Sequence, residues 1–232
     1  MQTKPTALKI LDIVSVLLLA AATYLALFYA PEEAVMGQVQ RVFYFHIGTA
    51  WVGLLGFLLA AIMGIVYLVT HDQKWDIVEM AAVEISLVFF LITIMLGSIW
   101  ARPVWNTWWT WDPRLTTAAI TELIYIAYFM LRAGIEDPDR RARFGAVYTL
   151  IGGVSAPITF MVIRLVRSIH PVIIAGNDPS SQGTFAMTGG MQVAFFFGLF
   201  AFTVIFIDLF WNRIRLGNLA AKVEQLKLNI TN

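Results

Sequence analysis

Six long apolar stretches dominate the hydropathy pattern of the chain, over residues 10–30, 46–70, 77–99, 115–132, 144–167 and 190–211. At a helical rise of about 1.5 Å per residue, each is long enough to cross the roughly 30 Å hydrocarbon core of a bilayer. The pattern predicts an all-α fold: a polytopic bundle of six transmembrane helices in a single domain over residues 1–232, with a polar tail over 212–232. The first stretch follows Lys4 and Lys9 but is too long for a signal-peptide core, and further spans follow it, so it reads as a retained helix. Within the second stretch, Gly56, Ala60 and Gly64 recur every four residues and predict a smooth ridge for close helix packing. Pro157 in the fifth predicts a kink, with Gly152 and Gly153 adding local freedom just before it.

The polar connections carry the orientation. Lys4, Lys9, Lys74, Arg132, Arg140, Arg141, Arg143, Arg213, Arg215, Lys222 and Lys227 fall on one side, eleven cations against five on the other. Cationic loops stay in the cytoplasm, so both termini are expected to be cytoplasmic, and segments 31–45, 100–114 and 168–189 outside. The five outer cations are all arginine: Arg41, Arg102, Arg114, Arg164 and Arg167. Ordinary ion pairing with Glu32, Glu33, Asp112 and Asp178 is one reading. An anionic ligand is the other, because the planar guanidinium fork matches a carboxylate.

Composition sharpens this picture. The chain is 59% hydrophobic and 13% charged, with mean hydropathy +0.74, which fits an integral membrane protein and not a soluble domain. A net charge of +1 gives no basic patch for nucleic acid. Cysteine is absent, which removes disulfides, iron–sulfur ligation and the covalent attachment of c-type haem from this chain. No Gly-x-x-x-x-Gly-Lys-Ser/Thr loop is present, so any ATP hydrolysis belongs to another subunit.

The stretch 100–117, WARPVWNTWWTWDPRLTT, holds five of the eight tryptophans. An interfacial aromatic belt is the ordinary explanation. A sharper one is a flat aromatic shelf: Trp105, Trp108 and Trp109 share one face if the segment is helical, with Trp111 close behind. Asp112 before Pro113 reads as the cap of the following helix, with contact to an external partner as the alternative.

Three histidines complete the candidate chemistry. His71 lies in a solvated inner loop and reads as a surface residue. His46 opens the second span and His170 closes the fifth, so the topology puts both at one depth on the outer side, and Pro171 predicts that the fifth helix stops there. Two imidazoles, flat aromatics and arginines match what haem requires, namely axial ligands, ring contact and partners for propionates. A different metal or a structural pair fits the same residues. Glu84 and Glu122, about two turns inside their helices, read as bundle or subunit contacts, or as part of a functional pathway.

The run 104–116, VWNTWWTWDPRLT, resembles the tryptophan-rich WWD signature of haem-handling membrane proteins of cytochrome c assembly. Residues 37–46, GQVQRVFYFH, resemble the stretch carrying the first histidine of the cytochrome c maturation protein C family, also called haem exporter protein C, and His170 falls at the place of the second. The likeness covers most of the chain. It implies a b-type haem held without covalent bonds by His46 and His170 as iron ligands, against Trp105, Trp108, Trp109, Trp111 and Asp112, with Arg41, Arg114 and Arg167 as candidate propionate partners. It also implies delivery to a periplasmic haem chaperone, not catalysis, alongside an ABC-type ATPase, its membrane subunit, a small single-span subunit and membrane lipid. Two departures stand out: Asn106 where the family usually shows glycine, and a Gly-, Ser- and Pro-rich segment over 173–190. A bis-histidine cytochrome subunit and a haem-permeation channel are the competing readings.

Overall fold

A computed structural model describes residues 3–34, 36–171 and 187–231. It contains six long apolar helices and, among the described residues, no strand. They are α1 (Thr6–Tyr24), α2 (Val42–Thr70), α3 (Gln73–Trp105), α4 (Pro113–Ala133), α5 (Pro138–Leu165) and α6 (Gly189–Thr231). A wide π turn, Leu25–Tyr29, extends α1, and a 3₁₀ turn, Gln38–Arg41, leads into α2. All six predicted spans are helices, but their ends run further than hydropathy alone suggests. α2 starts four residues before His46, so that histidine sits one turn inside the helix. α3 continues through Trp105, which makes Trp100 helical. α6 continues through most of the expected tail.

Local chemistry sets these boundaries. Asp72, Asp112 and Asp137 each stand just before a helix and accept from a backbone N–H in its first turn, those of Lys74, Arg114 and Arg140 at 3.0, 2.9 and 2.9 Å. In α4 and α5 a proline follows the cap, where its missing N–H costs nothing. α2 ends on His71 at φ 53° and α3 on Asn106 at φ 57°, both left-handed. α5 stays helical through Pro157.

Two kinds of contact hold the helices together. The first is close packing at small residues: Gly56 seats against Ser86 of α3 and Phe206 of α6, and Gly64 against Ala146 and Thr149 of α5. A Cβ at Gly64 would stand 3.1 Å from the Ala146 carbonyl oxygen, so the predicted ridge is a packing seat. Next to it, Phe57 and Tyr125 stack with centroids 3.8 Å apart. The second is polar pairing inside the bundle, where lipid gives helices no hydrophobic reason to associate. Arg132 of α4 donates two hydrogen bonds to Asp76 of α3, at 2.5 and 2.8 Å, in a buried pair. Fully buried Glu79 meets Arg132 and Tyr128 at Gly145. Arg132 is therefore a buried partner of Asp76 and not a loop cation. Arg213 of α6 pairs with Glu84 of α3 at 2.7 Å, which favours the bundle-contact reading of Glu84. Glu122 is buried, and its chain neighbour Thr121 lies 2.7 Å from Ser155 and 3.1 Å from Thr159 in a hydroxyl cluster.

Asn106 resolves one departure noted above. The left-handed region suits glycine, and among other residues asparagine tolerates it best. Arg102 reinforces the turn by donating to the Asn106 carbonyl oxygen at 2.8 Å and also to its side-chain oxygen. Asn106→Gly should leave thermal stability within a few tenths of a kcal/mol of the parent, whereas Asn106→Val should lose about 1 kcal/mol or more, read by thermal unfolding in detergent.

Candidate functional site

At the end of the bundle where α3 turns into α4, the helices enclose a cavity of about 270 Å³. His46, from the first turns of α2, and His170, from the segment after α5, both line it. Their ring centroids are 6.4 Å apart and their planes differ by 34°. Trp100 stands edge-on to His46 at 6.0 Å, and Trp105 edge-on to His170 at 6.5 Å. Trp109, Arg114 and Phe160 extend the wall, with the Arg114 guanidinium 5.3 Å above the Phe160 ring.

Each imidazole is held at the same ring nitrogen. His46 Nδ1 lies 3.0 Å from the Thr93 carbonyl oxygen, and His170 Nδ1 lies 3.1 Å from that of Pro171. A carbonyl can only accept, so in each ring Nδ1 carries the proton and Nε2 keeps its lone pair. The Thr93 hydroxyl sits 2.9 Å from that of Thr49, linking α2 to α3 beneath His46. Gly97, one turn further along α3, lies against the His46 ring: a Cβ there would stand 3.0 Å from Cε1.

His170 is positioned from a distance. The buried Asp112 carboxylate caps α4 and also accepts from the Ser168 hydroxyl and the Ile169 N–H, each at 2.8 Å. Ser168 Oγ in turn accepts from the His170 N–H at 3.1 Å. Burial first, then the Arg114 charge and then His46, push the His170 imidazole well below its ordinary range, so it is neutral at pH 7.

Sequence comparison bears on the identity of this arrangement. A family model described as heme exporter protein C matches residues 1–229. The chain belongs to the heme exporter protein C family. It is 28% identical to the heme exporter protein C of Bradyrhizobium diazoefficiens over 217 residues, covering 92% of this chain and 80% of that relative. It is 31% identical to that of Rhodobacter capsulatus over 159 residues, 68% of this chain and 66% of the relative. A mitochondrial protein of Marchantia polymorpha named for cytochrome c biosynthesis is 29% identical over 153 residues, 66% of this chain and 64% of its own length.

Within this heme exporter protein C family member, the residues predicted from sequence separate into those the fold gathers and those it does not. His46, His170, Trp105, Trp109 and Arg114 line one cavity, and Asp112 lies behind it as a cap and clamp. The shelf built on helical spacing does not form, because the left-handed turn at Asn106 breaks the register after Trp105. Trp108 and Trp111 are 58% and 77% exposed, and Trp111 meets Trp109 edge-on at 5.7 Å. Nor do the five arginines converge: among the described residues the lining includes Arg114 and none of the others. Arg102 serves the Asn106 turn, Arg164 and Arg167 are exposed, and Arg41 is half-buried at the start of α2. His71 is exposed, as expected. Asp178 and most of the 173–190 segment lie outside the described residues.

Sequence reasoning missed Trp100, Thr93, Gly97 and Ser168. Trp100 had a signal, since it continues the α3 apolar run by one residue. Thr93 acts through its backbone carbonyl, which no residue type announces. Two buried indole N–H groups in the wall, those of Trp100 and Trp109, have no hydrogen-bond partner among the described residues. With the Arg114 guanidinium they form a donor-rich wall suited to an anionic group.

Two outcomes follow. Asp112→Ala should lose about 2 kcal/mol or more of stability, because the cap and both contacts to 168–169 go together. Asp112→Asn should retain part of this, and thermal unfolding in detergent ranks the three. The second concerns acid. Unfolded His170 takes up a proton near pH 6.5, but the folded protein resists until well below it, so the unfolded state binds more protons across that window and stability falls as pH drops below about 6.5. The slope from this residue approaches about 1.4 kcal/mol per pH unit, and His170→Gln should flatten the pH dependence of the protein's stability by that amount.

Proposed function

We propose that this cavity takes haem as cargo, as a b-type haem held without covalent bonds, and presents it to a haem chaperone during maturation of c-type cytochromes. Membership of the heme exporter protein C family supports haem handling, and the name of the Marchantia relative supports the link to cytochrome c. The observation that carries the finer reading is the pair of imidazoles. Both spend Nδ1 on a backbone carbonyl, which is the arrangement that fixes the tautomer of a metal-ligating histidine. Metal–imidazole bonds of about 2 Å on opposite sides of one ion bring the ring centroids to on the order of 6 Å, close to the 6.4 Å separation. In this reading Trp100, Trp105 and Trp109 meet the porphyrin, while Arg114 and the indole N–H groups receive the propionates.

The residues of this chain bind, orient and release, and no bond of the cargo is made or broken by them. The absence of cysteine fits a cargo that leaves. Trp108 and Trp111, exposed beside the cavity, are suited to meet the incoming chaperone, and Arg41 and Arg167 are suited to outlying contacts with it or with propionates. In this reading the cavity end faces the periplasm and both termini lie in the cytoplasm of a bacterial inner membrane, an orientation that the excess of loop cations on the other side supports. ATP-driven release belongs to an ABC-type ATPase with its membrane subunit, assembled with this chain and a small single-span subunit.

An absorption spectrum of the purified, haem-loaded protein provides the test. His46→Ala and His170→Ala should each abolish the six-coordinate low-spin spectrum, and His71→Ala should preserve it. Arg114→Gln should keep the coordination yet weaken retention by roughly 1.5–3 kcal/mol, the range for a lost charge-assisted hydrogen bond. Unaltered spectra in both cavity histidine variants would remove the ligand assignment.

A further inference from the structure

The far end of α6 has no role in the cavity. Its residues Leu216, Leu219, Val223, Leu226 and Ile230 are separated alternately by three and four positions, the spacing of a heptad seam. α6 remains helical through Thr231, so the five side chains form one continuous stripe. They are exposed by 57%, 43%, 44%, 61% and 83%. Among the described residues nothing covers this stripe. Gly217 seats against Ile77, one turn into α3, and every residue from Asn218 to Ile230 whose side chain is described is exposed. Lipid is a poor cover as well. The apolar part of α6 ends near Trp211, and Arg213 is tied to Glu84 of α3. Val223, Leu226 and Ile230 lie roughly 18–28 Å beyond Trp211 along the axis, whereas the headgroup layer is only about 6 Å thick.

We infer that the final turns of α6 form one half of a parallel two-stranded coiled coil, and dock a helix of a different polypeptide whose own apolar seam is flanked by carboxylates. Leu216, Val223 and Ile230 occupy a positions, the last two β-branched, and Leu219 and Leu226 occupy d, and β-branched a with Leu at d favours two parallel strands. The flanking g and e positions carry Arg215, Lys222 and Lys227, with a single acid nearby, Glu224, which approaches Lys227 at 3.6 Å. A second copy of this chain would set Lys222 against Lys227 along the parallel seam, which is repulsive. A partner with Glu or Asp at e and g turns the same positions into interhelical ion pairs.

Full-length protein in detergent, titrated with two fluorescent synthetic helices, tests this. Both helices have Ile at a and Leu at d, and one has Glu and the other Lys at e and g. The Glu helix should bind and the Lys helix should bind at least about tenfold more weakly. Leu219→Asp/Leu226→Asp, at exposed positions that leave the bundle intact, should abolish binding of the Glu helix. Lys222→Glu/Lys227→Glu should keep the seam but reverse the preference toward the Lys helix. Equal binding of both helices, or of neither, overturns the inference. Val223→Cys, in a chain that otherwise has no cysteine, separates the remaining occupants in reconstituted bilayers. A disulfide-linked pair of this chain would point to a second copy, and burial of an attached environment-sensitive dye by phosphatidylserine but not phosphatidylcholine would point to the membrane surface. Either result overturns the inference.

Discussion

The cavity end of this protein depends on one buried carboxylate. Asp112 accepts from Arg114 N–H, the Ser168 hydroxyl and Ile169 N–H, so one side chain starts α4 and holds the segment that follows α5. Without it, His170 would sit in an irregular segment between α5 and the residues beyond it, with no helix to fix its ring. A carboxylate suits this task because it offers two oxygens to donors from two directions, and charge-assisted bonds are about twice as strong as neutral ones. His46 needs no such device. It is carried by a helix and steadied by the Thr93 carbonyl. The two histidines thus reach one geometry by different means, one through regular structure and one through a clamp.

The rest of the bundle keeps that geometry rigid. Small residues let α2 approach α3, α5 and α6 closely, and the Asp76–Arg132 and Glu84–Arg213 pairs tie α3 to α4 and α6 at the opposite end. In lipid such pairs are costly to separate, because water cannot replace the lost partner. Helices fixed at the far end and packed along their length hold the cavity walls in place, which preorganises them for binding.

Much of this was legible in the sequence, for identifiable reasons. Six spans follow from length and hydropathy, and the common depth of His46 and His170 follows from counting spans, with no need for packing detail. The Asp-Pro start of α4 is local chemistry written in adjacent residues, whereas the same pair at Asp137-Pro138 starts α5 six residues before the hydropathy pattern does. What was illegible depends on non-local or backbone terms. The left-handed conformation of Asn106 turns Trp108 and Trp111 outward, and helical spacing cannot anticipate it. Arg132 looks like a loop cation until Asp76, 56 residues away, is placed against it. Arg41, Arg102, Arg164 and Arg167 share a side of the membrane with Arg114 in the orientation read from charge, but only side-chain direction separates a cavity wall from a surface.

The proposed haem site stands on Nε2 coordination by His46 and His170 together. Low-temperature electron paramagnetic resonance of the oxidised haem complex, with the histidines ¹⁵N-labelled, reads this directly. The ring planes differ by 34°, so coordination by both predicts a rhombic low-spin signal from two imidazoles far from perpendicular, with hyperfine coupling to both ligating nitrogens and loss of one coupling when either histidine is replaced. A high-spin signal, or a low-spin signal whose couplings survive both replacements, would contradict it.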